Sequence, residues 1–170
     1  MYLWDLITWH ALECDQRRGY DPRMGFSVLG LLVSVAIFGP SLLLIAFPPR
    51  PRLESFPTPS ALQVAERVGQ VLCVTVPAAT APGGVVWWAV VPTALAVAAY
   101  WALWGRYLLS GRARSTLFDA VLGVPVPMAL APVLAFFAAA VWLQNPWIAA
   151  SAGVLAIGHI PTSVIAARHS

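Results

Sequence analysis

The chain has 170 residues, of which 59% are hydrophobic and 10% charged, with a net charge of +3. A soluble domain carries about 25% charged residues, so this composition cannot cover a globule in water. It excludes a soluble domain, a disordered tail and a nucleic-acid-binding module, and leaves an all-α protein embedded in lipid.

Residues 1–24 are predicted to form an N-terminal interfacial segment. Tyr2, Trp4 and Trp9 suit a headgroup layer, while Asp5, Thr8 and Glu13 can face water. The stretch is too short to span, and it lacks the basic start and small-residue cleavage site of a signal peptide. Cys14 and Cys73 belong to no CxxC or Cys/His spacing, so neither a zinc site nor a disulfide framework is expected.

A five-helix transmembrane domain is predicted over residues 25–167. The first helix, 25–47, carries no charge and ends at Pro48-Pro49-Arg50-Pro51-Arg52, which a helix cannot cross. Residues 68–105 are also uncharged, and as one helix they would run about 57 Å, nearly twice the hydrocarbon thickness. They must fold back, and Ala81-Pro82-Gly83-Gly84 is the turn. The second helix then covers 61–82, with Ser60 and Gln63 in capping-box spacing, and the third covers 85–109. Residues 120–167 would run about 72 Å and form a second hairpin. Its break is Gln144-Asn145-Pro146, with Asn145 as N-cap and Pro146 in the first helical position. The fourth helix is predicted over 117–143, opened by the Thr116/Asp119 spacing, and the fifth over 146–167.

Five crossings put Arg17, Arg18 and Arg23 on one side. On the other lie Arg50, Arg52, Arg67, Arg106, Arg112, Arg114 and Arg168. The richer side is predicted to be cytoplasmic, with the N-terminus outside and the C-terminus inside. Trp87, Trp88, Trp142 and Trp147 read as an outer aromatic belt. Gly25/Gly30, Ala94/Ala98 and residues 138–140 allow close helix contacts and a homodimer.

The hairpins bring Glu66, Arg67, Arg106, Asp119 and His159 to the cytoplasmic half of the membrane. A charge near the bilayer centre costs at least about 2.5–3.5 kcal/mol, so these groups should face one another, with Glu66 paired to Arg106 or Arg67. Tyr100, Trp104 and Tyr107 share one face of the third helix. The candidate ligand-binding residues are Glu66, Arg106 and His159 as polar contacts and Tyr100, Trp104 and Tyr107 as walls; the alternative makes Trp104 and Tyr107 an inner aromatic belt and Arg106 a positive-inside anchor. His159 is also a candidate gate, because imidazole changes charge near neutral pH. Asp119, Pro125, Pro127 and Pro132 are assigned structural roles, with the fourth helix locally unwound near its prolines.

No HExxH, GxSxG or Walker pattern occurs, so no catalytic residue, metal or cofactor is assigned. The favoured activity is binding or transport of a small amphipathic or lipid-like molecule, with membrane lipids as partners. The alternative is a non-catalytic structural or assembly subunit of a membrane complex.

Three stretches carry a resemblance. They are Tyr100-Trp101-Ala102-Leu103-Trp104-Gly105-Arg106-Tyr107 with Gly111-Arg112, then Gly123-Val124-Pro125-Val126-Pro127-Met128-Ala129 with Pro132-Val133, then Ala156-Ile157-Gly158-His159-Ile160-Pro161. Through them the second half resembles a group of small uncharacterised polytopic membrane proteins of Gram-positive bacteria. That implies a bacterial plasma-membrane location and no particular activity. In helix count, Trp content and a long first loop, the chain is also similar to the tryptophan-rich sensory/translocator proteins, whose Trp/Pro motifs it lacks. This likeness is one of architecture alone.

Overall fold

The structure is a computed structural model that describes residues 24–51 and 57–169. The interfacial segment, with Cys14, Arg17, Arg18 and Arg23, and also Arg52 lie outside the described residues. Every element is helical: α1 (Val28–Ala46), α2 (Ser60–Ala79), α3 (Trp87–Leu109), α4 (Pro127–Trp142) and α5 (Pro146–Ala167). Three of them, α1, α3 and α5, are long and apolar enough to cross a bilayer, which points to a membrane location. Their outward faces fit that medium, because Leu32, Val35, Leu95 and Ile157 all stand exposed. Helix α4 is apolar but only 16 residues long. Helix α2 has 20 residues, and Glu66, Arg67 and two glutamines make it the least apolar of the five.

Prolines shape α1 and α2, and donors on neighbouring helices repair the damage. Pro40 lacks the N–H that would bond the Ala36 carbonyl, and the helix tightens into a 3-10 turn over Gly39–Leu42. Trp101 on α3 donates its indole N–H to that carbonyl at 2.9 Å. Pro77 likewise frees the Cys73 carbonyl of α2, and the Ser34 hydroxyl of α1 lies 2.9 Å from it. Without water to hydrate a bare carbonyl, such donors must come from side chains.

Glycines set the helix spacing. A Cβ on Gly30 would collide with the Pro77 backbone, one on Gly69 with Leu155, and one on Gly158 with the backbone of Glu66. The bare glycines let α2 lie directly on α1 and α5. Helix α4 completes the core with Val133, Phe136 and Ala139 against Ile37, Cys73 and Leu155. Of the small residues singled out in the sequence, Gly30, Ala139 and Ala140 are buried, while Gly25, Ala94 and Ala98 face outward.

Two predicted helix starts are corrected. Ser60 is the first helical residue of α2 rather than its cap, and the Gln63 amide donates to the Thr58 carbonyl at 2.9 Å. The fourth helix begins at Pro127, not at 117. Residues 115–117 make a 3-10 turn in which the Thr116 hydroxyl lies 3.0 Å from that of Ser110, and Asp119 caps nothing. The delay has a steric cause. Prolines 125 and 127 push the residues before them out of the right-handed helical region. Leu122 and Gly123 both take positive φ between the paired Val121 and Val124, as a type I′ turn requires. Val126 also has positive φ, and Pro127 then fits the first helical position. Of the three prolines, only Pro132 lies in the helix interior.

At the opposite end of the bundle the expected Asn145–Pro146 helix start is present. Asn145 accepts from the Trp147 amide at 3.1 Å and donates to the Thr80 hydroxyl at 2.7 Å, ahead of Pro146. Trp87, Trp88 and Trp147 are exposed there, and Trp142 is half-buried. All charged side chains among the described residues lie toward the other end.

The glycine notch gives a paired prediction. Gly158→Ala should lower the unfolding temperature of the detergent-solubilised protein, equivalent to about 1–3 kcal/mol of overpacking. Gly153→Ala, whose Cβ would meet nothing within 4 Å, should be neutral or stabilising by up to about 1 kcal/mol. Thermal scans of both variants check the contrast.

Candidate functional site

Glu66 lies six residues past the start of α2, about 9 Å along the axis. His159 lies eight residues before the end of α5, about 12 Å from it. The helices run antiparallel, so the two side chains meet at one level, and the missing side chain of Gly158 lets the backbones close over that point. His159 Nδ1 is 2.7 Å from Glu66 Oε1. An ionised carboxylate only accepts, so the imidazole donates from Nδ1. The Thr162 hydroxyl lies 3.0 Å from Glu66 Oε2 and 3.0 Å from the His159 carbonyl, with one proton to give. Both members of the pair are about three-quarters buried. His159 Nε2 makes no hydrogen bond among the described residues.

The pair borders a cavity of about 540 Å³, within the range of small-molecule sites. Its polar atoms come from Glu66, Gln70, His159 and Ser163, and from Ser41 and Tyr100, whose hydroxyls are 2.9 Å apart. Phe38, Trp104, Phe118 and Met128 supply apolar wall. Trp104 meets Tyr100 edge-on at 6.2 Å between ring centres, and its indole N–H is buried without a hydrogen-bond partner among the described residues.

Four of the six candidate ligand residues, Glu66, His159, Tyr100 and Trp104, thus share one cavity. The other two do not line it. Arg106 bonds Asp119 at 3.3 Å in a half-exposed pair, so the expected Glu66–Arg106 contact is replaced by Glu66–His159. Arg67 is exposed and is not the partner either. Tyr107 is fully buried behind Trp104, packed edge-on at 5.6 Å, and its hydroxyl donates to the Phe47 carbonyl at 2.8 Å. It clamps the end of α1 rather than facing a ligand.

Gln70, Ser41, Thr162 and Ser163 were not singled out in the sequence. Gln70 stands four residues after Glu66, and Thr162 and Ser163 stand three and four after His159. That spacing stacks them on the same helix faces and could have identified them.

No group of three or more potential metal ligands occurs among the described residues. The arrangement is a carboxylate-oriented imidazole at the edge of an aromatic, largely apolar cavity. It can hold one polar group of a molecule whose remainder is apolar. Compared with family models, curated proteins and solved structures, the chain matches none.

The geometry predicts the imidazole tautomer. Neutral His159 should carry its proton on Nδ1, and Glu66→Leu should shift it toward Nε2, whereas Arg106→Ala should leave it unchanged. Nitrogen-15 NMR of histidine-labelled protein reads the three states directly.

Proposed function

We propose that this protein is a multi-pass membrane protein that binds, and in doing so can carry, a small amphipathic or lipid-like molecule in the cavity beside Glu66 and His159. The observation that carries this reading is the cavity itself. It puts a largely buried carboxylate–imidazole pair and an aromatic wall around one space large enough for such a molecule. An ionisable pair inside a membrane bundle is costly and tends to mark a functional site, and the apolar wall suits an acyl, isoprenoid or aryl body.

In this reading all five helices cross the bilayer. The arginine-rich end faces the cytoplasm, with the C-terminus inside and the N-terminus outside. Helix α2 crosses despite Glu66 because His159 and Thr162 satisfy the carboxylate from within the bundle. Helix α4 crosses with the help of the irregular segment before it, which packs Leu117 and Phe118 beside Tyr100, Trp104 and Tyr107. Non-helical backbone at membrane depth is tolerated where protein covers it.

Two experiments test this. In a background without Cys14 and Cys73, single cysteines at Ser115 and Gln144 should react with an impermeant maleimide from opposite faces of the membrane. Ser115 should react from the cytoplasmic side; labelling of both from one face would overturn the five-crossing arrangement. For the ligand, organic extracts of the purified protein should contain a co-purifying amphiphile. Its amount should fall about 10-fold in His159→Ala, the loss of one charge-assisted hydrogen bond, and stay unchanged in Arg112→Ala. Equal content in all three proteins would favour a scaffold role.

A further inference from the structure

Electrostatics narrows the occupant. The charges facing the cavity are few. Helix α2 contributes the Glu66 carboxylate and the neutral Gln70, α5 contributes His159 with Thr162 and Ser163, α1 contributes Ser41, and α3 contributes Tyr100 and Trp104. Neither α4 nor the segment with Leu117 and Phe118 adds a titratable group to the lining. The basic residues stand elsewhere: Arg106 is tied to Asp119, and Arg67 is exposed next to Glu66. With an imidazolium at His159 the cavity is electrically neutral. With a neutral imidazole it holds one uncompensated negative charge in a medium of low dielectric, where that charge is costly. Among the described residues, no arginine is within the lining to receive a phosphate or carboxylate.

The walls point the same way. Phe38, Tyr100, Trp104 and Phe118 bring aromatic rings to one space. Ring faces attract cations, more strongly where water is excluded. One carboxylate among aromatic walls, without a competing fixed cation, is the chemistry that receives a positively charged apolar molecule.

We infer that the cavity takes a lipophilic monocation in exchange for the Nε2 proton of a His159 imidazolium whose Nδ1 stays bonded to Glu66. The inference rests on the ligand-binding reading above and assigns its charge. When the cation enters, the imidazolium gives its proton to water, and the cation takes over neutralisation of the Glu66 carboxylate. When a proton returns to His159, the cavity carries one excess positive charge, and departure of the cation makes it neutral again. No covalent bond changes, and charge balances one for one. Such an exchange would let a proton gradient drive an amphipathic cation across the membrane.

The test uses three probes of like size and shape with the purified full-length protein in detergent: tetraphenylphosphonium, tetraphenylborate and uncharged tetraphenylsilane. Equilibrium dialysis with labelled probe measures binding at pH 6 and pH 8.5. Tetraphenylphosphonium should bind at least 10-fold tighter than tetraphenylborate at pH 8.5, and about 10-fold tighter at pH 8.5 than at pH 6. Glu66→Gln should abolish both the charge preference and the pH dependence while still binding tetraphenylsilane, which shows that the cavity survives. His159→Gln should keep the cation preference and lose the pH dependence. Equal affinity for cation and anion, or a cation affinity unchanged by pH, would overturn the exchange while leaving the cavity reading intact. Failure of all three probes to bind would overturn the cavity reading itself.

Discussion

The close approach of α2 and α5 organises the molecule. Two glycines, one on each helix, face the partner's backbone, and a methyl group at either would strike main-chain atoms. At that separation a glutamate and a histidine, each costly alone in hydrocarbon, fall within hydrogen-bond reach of each other. The pair is therefore tolerated only because the helices touch. The helices in turn touch without side-chain interdigitation at these two points, so the contact is a backbone fit rather than a hydrophobic one. That suits a medium in which apolar burial adds little to helix association.

The same logic governs the prolines. A proline in a membrane helix is affordable where a neighbour donates to the carbonyl it frees. Pro40 has Trp101 and Pro77 has Ser34, each reaching across from another helix. These bonds join α3 to α1 and α1 to α2, so these two breaks are also cross-ties of the bundle. Tyr107 does similar work at the frayed end of α1. The interrupted stretch of α1 contributes Phe38, Ser41 and Leu42 to the cavity wall.

Much of this was legible in the sequence, and the failures have identifiable causes. Helix number and the Asn145-Pro146 start follow from uncharged runs too long for one pass and from local capping chemistry. Level along the bundle was legible too: counting residues from the helix ends put Glu66 and His159 side by side. Which charge pairs with which was not, because successive helix residues point about 100° apart and depth says nothing about rotation. Arg106 lies at the expected height but turns toward Asp119. The misplaced start of α4 came from reading Thr116 and Asp119 as a cap without weighing the constraint that Pro125 and Pro127 place on the residues before them. Gly69 and Gly158 escaped notice because a glycine inside an apolar helix reads the same whether it faces lipid, as an open Gly153 can, or a neighbour's backbone.

The shortness of α4 has a consequence for the surrounding lipid. Sixteen residues cover about 24 Å, some 6 Å less than an average hydrocarbon layer. Beside it the turn at Leu122, which is 99% exposed, and the 90% exposed Leu109 offer apolar tips where headgroups would ordinarily begin. In the five-crossing arrangement proposed above, acyl chains on this flank would shorten or splay to match, a local mismatch that costs fractions of a kcal/mol per ångström. Such a dent would fall next to Phe118 and Met128, which wall the cavity. Deformed lipid at that flank would shorten the sideways path from the leaflet to the Glu66–His159 pair.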